Sequence, residues 1–365
     1  MQVSKRLVAL GAATAILISA CGGSSATTAP SAAAWKACVA FDTGGLGDKG
    51  FNDLAKKGLD AAGTAGYATA YSEAKGSTDY AANIQRLLDQ KCQTIIAVGF
   101  NQQKSVQDAA IANPKVDFGL IDATWDSSGA DGKTGTSDDV KQAANFTGLD
   151  FQIDQAAMLA GYLSAGWSKT GKMGTYGGQQ FPGVTRFMDG YYAGIAYYNK
   201  ENGTKVQLLG WDAVKQTGTF VNGDNPWNDS AKGESLAGGF VDQGADVLGP
   251  VAGSTGNGSI KFMLSKNLWA IGVDTDQAVS LSQYAGAILT SAQKVIDAAV
   301  LDTIKANASG QAGGGNYVGT LTNGGVALAP FHNFDSQVPQ KLKDGIKALQ
   351  GKLVDGSVKV ADYLK

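Results

Sequence analysis

Histidine is almost missing from this 365-residue chain: His332 is the only one. It lies in "APFHNFD" with no nucleophile motif beside it, which argues against Ser/His/Asp catalysis. Cysteine is scarce as well, with Cys21, Cys38 and Cys92 and no pair at ligand spacing, which argues against zinc. No G-x-S-x-G or G-x-G-x-x-G stands at a suitable strand end. "GWSKTGKM" imitates a phosphate loop, but Met173 replaces the required hydroxyl residue and the segment enters a strand instead of leaving one, so it reads as a helix-to-strand turn. Basic clusters are absent too. Thirty Lys and Arg against 32 Asp and Glu leave a formal charge of -2, which speaks against nucleic acid as a partner. These absences remove the catalytic classes and leave a binding protein with no cofactor.

What is present begins with an address. Lys5 and Arg6 precede the apolar run "LVALGAATAILISA", too short to span a bilayer, so residues 1–20 read as a secretory signal. Its loss takes the charge from -2 to -4. "LISAC" resembles the lipobox of bacterial lipoproteins, in which Cys21 is diacylated; the alternative is an ordinary signal peptide. Residues 21–34, mostly Gly, Ser, Thr and Ala, hold too little bulk to bury a core and read as a flexible tether. In an oxidising extracytoplasmic setting, a Cys38–Cys92 disulfide is favoured over two free thiols.

From Trp35 onward about 330 residues remain, comfortable for two lobes. "KACVAFDT", "YATAYS", "QTIIAVGF", "VDFGLIDA" and "AANFTGLD" read as buried parallel strands, alternating with amphipathic stretches such as "FNDLAKKGLDAAGTAG" and "DYAANIQRLLDQ". After a long helix near residues 152–167 the pattern restarts. Its strands are "KMGTYGG", "KVQLLGW", "DVLGPVAG", "WAIGVD" and "AILTS"; its helices are "GVTRFMDGYYAGIAYYN", "DSAKGESLAGGFVDQG" and "SAQKVIDAAVLDTIKA". The expected fold is α/β, two doubly wound parallel-sheet lobes. No Pro- or Ser-rich break separates them, so several crossings join the lobes: 35–155 with a late segment near 290–325, and 156–290 with 326–365 at the hinge. Residues 126–139, "DSSGADGKTGTSDD", lack the alternating spacing and terminal glutamate of a calcium loop and read as a solvated insertion.

Doubly wound sheets hold ligands outside the carboxyl ends of their strands. There stand "DTGGLGDKGFN", "VGFNQQ", "LIDATWD", "YGGQQFPG", "GWDA", "PVAGSTGNG" and "GVDTDQ". Carboxylates accept from hydroxyls and aromatic faces sandwich a flat ring, which points to a nucleoside or a sugar.

Taken in order, "GDKGFND", "VGF", "NDSAKG", "AGSTGNG", "IGVDTDQ" and "ILTSAQK" resemble the basic membrane protein family, the purine-nucleoside-binding lipoproteins of bacterial ABC importers. The resemblance implies a two-lobed type I periplasmic binding protein fold with three hinge crossings. The family's "DKSFN" appears as Asp48, Lys49, Gly50, Phe51 and Asn52, with Gly50 removing a hydroxyl. Phe51 takes the purine-stacking role, or merely staples the helix that follows it, and Asn52 faces the base. "NPWNDSAKG" puts Trp227 at the second stacking position and Asp229 at the following acid, with Phe220 as a competitor for the ring. Asp274 and Lys294 fall to the sugar, with Asp276 as helper or loop cap. Asp154 matches a family acid loosely, and helix capping alone explains it equally well. Asp122 either holds a loop or touches ligand. Gly253 and Gly256 bring the backbone close to it or make a turn.

The function expected is thus a monomeric, lipid-anchored extracytoplasmic protein, not an enzyme, that binds a purine nucleoside between its lobes and docks on a membrane permease. The alternative is a sugar or small polyol on the same fold, for transport or sensing.

Overall fold

The computed structural model describes residues 35–129, 131–221, 223, 225–311 and 315–365. Cys21 and the signal and tether segments lie outside the described residues.

Fully apolar runs become central strands, because parallel sheets covered on both faces need no polar alternation. β1 (Lys36–Phe41) follows the tether, and after α1 (Phe51–Thr64) comes β2 (Ala68–Glu73). Then come α2 (Tyr80–Asp89), β3 (Thr94–Val98), α3 (Gln103–Ala112), β4 (Asp117–Ile121) and β5 (Phe146–Phe151). β3, "TIIAV", is buried at every position, whereas the edge strand β2 alternates. α4 (Ile153–Trp167) then carries the chain into a second set, β6 (Lys172–Gly177), α5 (Pro182–Asn202), β7 (Gln207–Leu209), β8 (Trp211–Asp212) and β9 (Thr217–Gly218). It continues through α6 (Ser230–Asp242), β10 (Val247–Val251), α7 (Gly253–Ser265), β11 (Trp269–Asp274), α8 (Gln277–Ser280), β12 (Ile288–Lys294) and α9 (Ile296–Ala308). β13 (Tyr317–Gly319), β14 (Val326–Leu328) and α10 (Gln340–Val354) complete it.

The first sheet has the order β13-β5-β4-β3-β1-β2 and is parallel throughout; the second repeats that order as β14-β12-β11-β10-β6-β7, with β14 antiparallel to β12. The chain passes between the sheets three times: through α4, back through α9 into β13, and again into β14. This is the fold of type I periplasmic binding proteins. One continuous apolar core runs from the inner face of the first sheet through α4 and α5 into the second. The Cys38–Cys92 disulfide, Cα–Cα 6.0 Å, ties β1 to the turn that enters β3.

Three local expectations fail. "SAQK" is not the start of a helix: Ser291, Ala292 and Gln293 pair with β11, so β12 runs to Lys294 and α9 begins at Ile296. Helix-forming residues there yield to sheet pairing. "AGSTGNG" is not only a turn but the first part of α7, a helix whose glycines pay for themselves in packing: a Cβ on Gly258 would sit 2.1 Å from the Ser230 carbonyl of α6. Finally, "KVQLLGW" is broken at Gly210, whose φ of +87° and closeness to the Thr175 carbonyl admit only glycine.

Candidate functional site

The carboxyl ends of β1, β3 and β4 in the first sheet and of β6, β10, β11 and β12 in the second open on one cavity. It encloses about 570 Å³ free of protein atoms, counting its mouth.

The β1 loop is wound around a single side chain. Asp48 accepts from the backbone N–H of Gly50 (2.9 Å), Asn52 (2.8 Å) and Asp53 (3.2 Å), and from Asn52 Nδ2 (3.0 Å). It therefore satisfies the first orphan donors of α1. Asn52 Oδ1 in turn accepts from the Asp42 backbone N–H at 3.2 Å, which leaves Phe51, the first residue of α1, against the cavity. Burial pushes the Asp48 carboxyl up, against the pull of those donors.

The second group comes from equivalent points of the two sheets. Asp122 directly follows β4 and Asp274 ends β11; both adopt φ of 65°, a left-handed conformation that Asp tolerates better than most residues. Between them, Lys294 Nζ at the end of β12 donates to Asp122 Oδ2 at 2.6 Å and to the Gly183 carbonyl at 3.2 Å, and lies 3.5 Å from Asp274 Oδ1. Burial alone would lower the lysine, but Asp122 and Asp274 outweigh it and hold Lys294 up and charged. Burial raises Asp122 and carries Asp274 to about 6, in both cases against the attraction of Lys294. Asp274 Oδ1 has no hydrogen-bond partner among the described residues, an acceptor left open inside a closed space. The ammonium also lies 5.4 Å from the Phe51 ring centre and 4.9 Å from that of Phe187.

Aromatic faces make up much of the remaining wall. Trp227 is held through its carbonyl, which accepts from the Thr255 N–H of α7 at 3.2 Å, while its indole lies against Gly178, where a Cβ would come within 2.3 Å of the ring. Phe181 stacks on Phe100 across the cleft at 5.1 Å and tilts toward Trp227 at 5.8 Å.

Of the residues singled out from sequence, Asp48, Phe51, Asn52, Asp122, Trp227, Gly253, Asp274 and Lys294 line this one cavity. Three do not. Asp229 caps α6, accepting from the Lys232 N–H at 2.9 Å. Gly256 lies inside α7 against Pro250. Asp154, in the first turn of α4, sits in the field of Arg186 and Asp189, with burial raising it to about 6 and its Oδ1 unpartnered among the described residues. Phe220 packs edge-on against Trp211 away from the cavity, and Asp276 accepts from His332 Nε2 at 2.7 Å. Asp42, Phe181 and Phe187 also line the cavity but were not singled out. Asp42 is buried, accepts from Thr43 N–H at 2.7 Å and from the Tyr80 hydroxyl, and stood in the quoted loop beside more conspicuous acids. Phe181 was visible in "YGGQQFPG" as a strand-end aromatic; Phe187 is hidden in the periodicity of α5.

A two-sheet fold with an aromatic, acid-rich cavity at its strand ends is the architecture of small-molecule-binding proteins of the type I periplasmic class. Residues 36–357 match the model of the PnrA-like ABC transporter substrate-binding proteins, and the chain belongs to that family. Members are solute-binding proteins of ABC transporters, not enzymes. The chain is 28% identical over 346 residues to the ABC transporter nucleoside-binding protein BmpA of Lactococcus lactis subsp. cremoris, covering 89% of this chain and 88% of the relative. It is 27% identical over 322 residues to basic membrane protein D of Borreliella burgdorferi, covering 87% and 85%. An uncharacterized lipoprotein of Pyrococcus abyssi is 29% identical over 321 residues, covering 85% and 72%. Among solved structures, an ABC transporter solute-binding protein from Aeropyrum pernix K1 superposes with a TM-score of 0.76 at 23% identity, over 89% of this chain and 92% of that one. That likeness speaks for the fold.

Proposed function

We propose that this substrate-binding protein takes a purine nucleoside, held between two lobes formed by residues 35–155 with the α9–β13 return, and by 156–294 with the C-terminal segment. One observation carries the reading: Phe51 from the first sheet and Trp227 from the second line the same cavity as the Asp122–Lys294–Asp274 cluster, so ring-stacking and hydroxyl-binding chemistry share one space. The nucleoside-binding name of the Lactococcus lactis relative supports it. The lining carries Asp42, Asp48, Asp122 and Asp274 against Lys294, the one cation among its described residues. That balance favours a neutral ligand rich in donors over a phosphorylated one.

Ligand enters the open cleft, the lobes hinge together about the three crossings, and a membrane permease reads the closed form. The working protein is a monomer held on the extracytoplasmic face by a lipid on Cys21; relatives named as lipoproteins support this. No helix of the described residues is long and apolar enough to cross a membrane. A sugar is the second reading, because a solute-binding protein from Agrobacterium vitis with the same fold, TM-score 0.59, was solved with α-D-tagatopyranose.

Mass spectrometry of ligand released from denatured protein, with calorimetric titration of guanosine and ribose, separates the two. Stacking contributes about 1–3 kcal/mol per base, so Phe51→Ala and Trp227→Ala should each weaken guanosine binding about ten- to a hundredfold and leave ribose little changed. Ribose binding as tightly as guanosine would favour the sugar.

A further inference from the structure

The β1 loop offers two carbonyls to the opposite half of the molecule. Asp48 binds its own half through its carboxylate, and Lys49 follows in a left-handed conformation, φ 58°. The Asp48 carbonyl accepts from Asn257 Nδ2 of α7 at 3.0 Å, and the Lys49 carbonyl accepts from Ser280 Oγ of α8 at 2.8 Å. The donor side is rigidly built. Gln277 Nε2 donates to Asn257 Oδ1 at 3.1 Å, Gln277 Oε1 accepts from the Val273 N–H at 3.0 Å, and the Gln277 N–H donates to Ser291 Oγ at 3.0 Å. The prongs are thus anchored on β11 and β12 and aimed at the loop that presents Phe51. Neither Asn257 nor Ser280 lines the cavity. The Asn257 prong is part-buried, whereas the Ser280 prong, like the Asn101–Gln179 hydrogen bond of 2.9 Å at the opposite lip, is exposed and meets competition from water.

The geometry points to Asn257 and Ser280 as closure-positioning residues: a two-pronged clasp that sets the ratio of closed to open protein and fixes the Phe51 loop, without touching ligand. It rests on the nucleoside reading only for the choice of probe. Because closing precedes or accompanies every productive binding event, weakening the clasp lowers apparent affinity by the fraction of closed state lost, equally for all ligands. A net hydrogen bond of this kind is worth about two- to tenfold.

The test uses the mature chain and calorimetry with guanosine and with inosine, beside spin-label distances between exposed positions on the two halves. Asn257→Ala and Ser280→Ala should each weaken both nucleosides by the same factor of about two to ten. The double variant should shift the distance distribution toward open at subsaturating guanosine. Ser280→Thr, which keeps the hydroxyl, should restore wild-type affinity, and the ligand-free melting temperature should not move, as it would for a merely structural contact. Unchanged affinity in the double variant, or unequal factors for guanosine and inosine, overturns the clasp. If wild type binds neither nucleoside, the nucleoside reading fails, and the clasp is judged by the same titration with ribose: a loss of ribose affinity of about two- to tenfold in the double variant supports it, and unchanged affinity overturns it.

Discussion

Asp122→Asn isolates the contact between the two sheets. Asn fits the same volume and tolerates φ of 65°, so the turn after β4 should survive, and the Asp122 backbone N–H still donates to the Leu149 carbonyl at 2.9 Å. What disappears is a charge-assisted hydrogen bond of 2.6 Å, buried on both sides. Removing one partner of a buried pair ordinarily costs about 3–5 kcal/mol, because a charge is stranded. Here Lys294 keeps Asp274 at 3.5 Å, so the loss falls nearer the about 1.5–3 kcal/mol of a hydrogen bond to a charged group. Asp122 belongs to the first sheet and Lys294 to the second, so the proposed parting of the two halves would break the pair. The cost should therefore appear as about a ten- to hundredfold loss of guanosine affinity by calorimetry, with little change in the ligand-free melting temperature. A second signature concerns pH. Asp274 stands near 6 chiefly through burial, and Asp122 adds to that rise. In wild type, closing raises Asp274 by burial and so favours its neutral form, and guanosine affinity should rise as pH falls from about 6 toward about 4. In the variant that inflection should move to lower pH. A variant that loses several degrees of ligand-free stability while keeping affinity and its pH profile would refute the reasoning and make the pair a fold contact.

Other consequences can be checked separately. Reducing the Cys38–Cys92 bond, sequence separation 54, should cost about 4 kcal/mol in denaturant titration, and an unchanged midpoint would contradict it. Asp154 is raised from 3.8 to about 6, so the fold prefers its neutral form: the penalty is absent below about pH 4, grows up to about 6 and is complete above. Asp154→Asn should accordingly stabilise the protein at pH 7 by up to about 3 kcal/mol and leave it unchanged at pH 3.5. Gly178→Ala, whose Cβ would enter the Trp227 indole, should weaken guanosine about tenfold while circular dichroism stays native. Cys21→Ser should move the protein from the membrane fraction to the medium; retention after a salt wash would contradict lipid anchoring.

The two-sheet plan was legible because buried parallel strands are written as continuous apolar runs, and "TIIAV", "DFGLI" and "WAIGVD" are hard to read otherwise. The boundary at Lys294 was not, since "SAQK" carries no local signal that it pairs with both β11 and β14. α7 was obscured for a related reason: its glycines lower helix propensity locally, but Gly258 is required by the close approach of α6, which only tertiary structure reveals. The site divides in the same way. Strand-end acids and loop aromatics such as Phe51 and Trp227 stand out because a loop has no core of its own to explain them, whereas Phe187 looks like any apolar residue of a helix that is mostly buried. Asp48 and Asn52 line the cavity, yet their hydrogen bonds are largely spent inside the loop, so in this state they hold Phe51 in place.

If the two halves open and close as proposed, the charge distribution explains why the cleft needs its ligand in order to stay shut. The first half contributes Asp42, Asp48 and Asp122 to the cavity, and the second contributes Asp274 and Lys294. Closing strips water from all five, and across the halves it returns one strong contact, Lys294 to Asp122, while Asp274 is repelled by Asp122 and Asp48. One ion pair does not offset the desolvation of that many charges, because burial costs several kcal/mol per ion even after relaxation. A ligand with several hydroxyl donors restores what water supplied, beginning with the open acceptor on Asp274, and its ring occupies an aromatic space that would otherwise be wet. On that proposal the empty protein favours the open form, the clasp at Asn257 and Ser280 is too weak to hold the halves alone, and the closed surface would report that the cleft is filled.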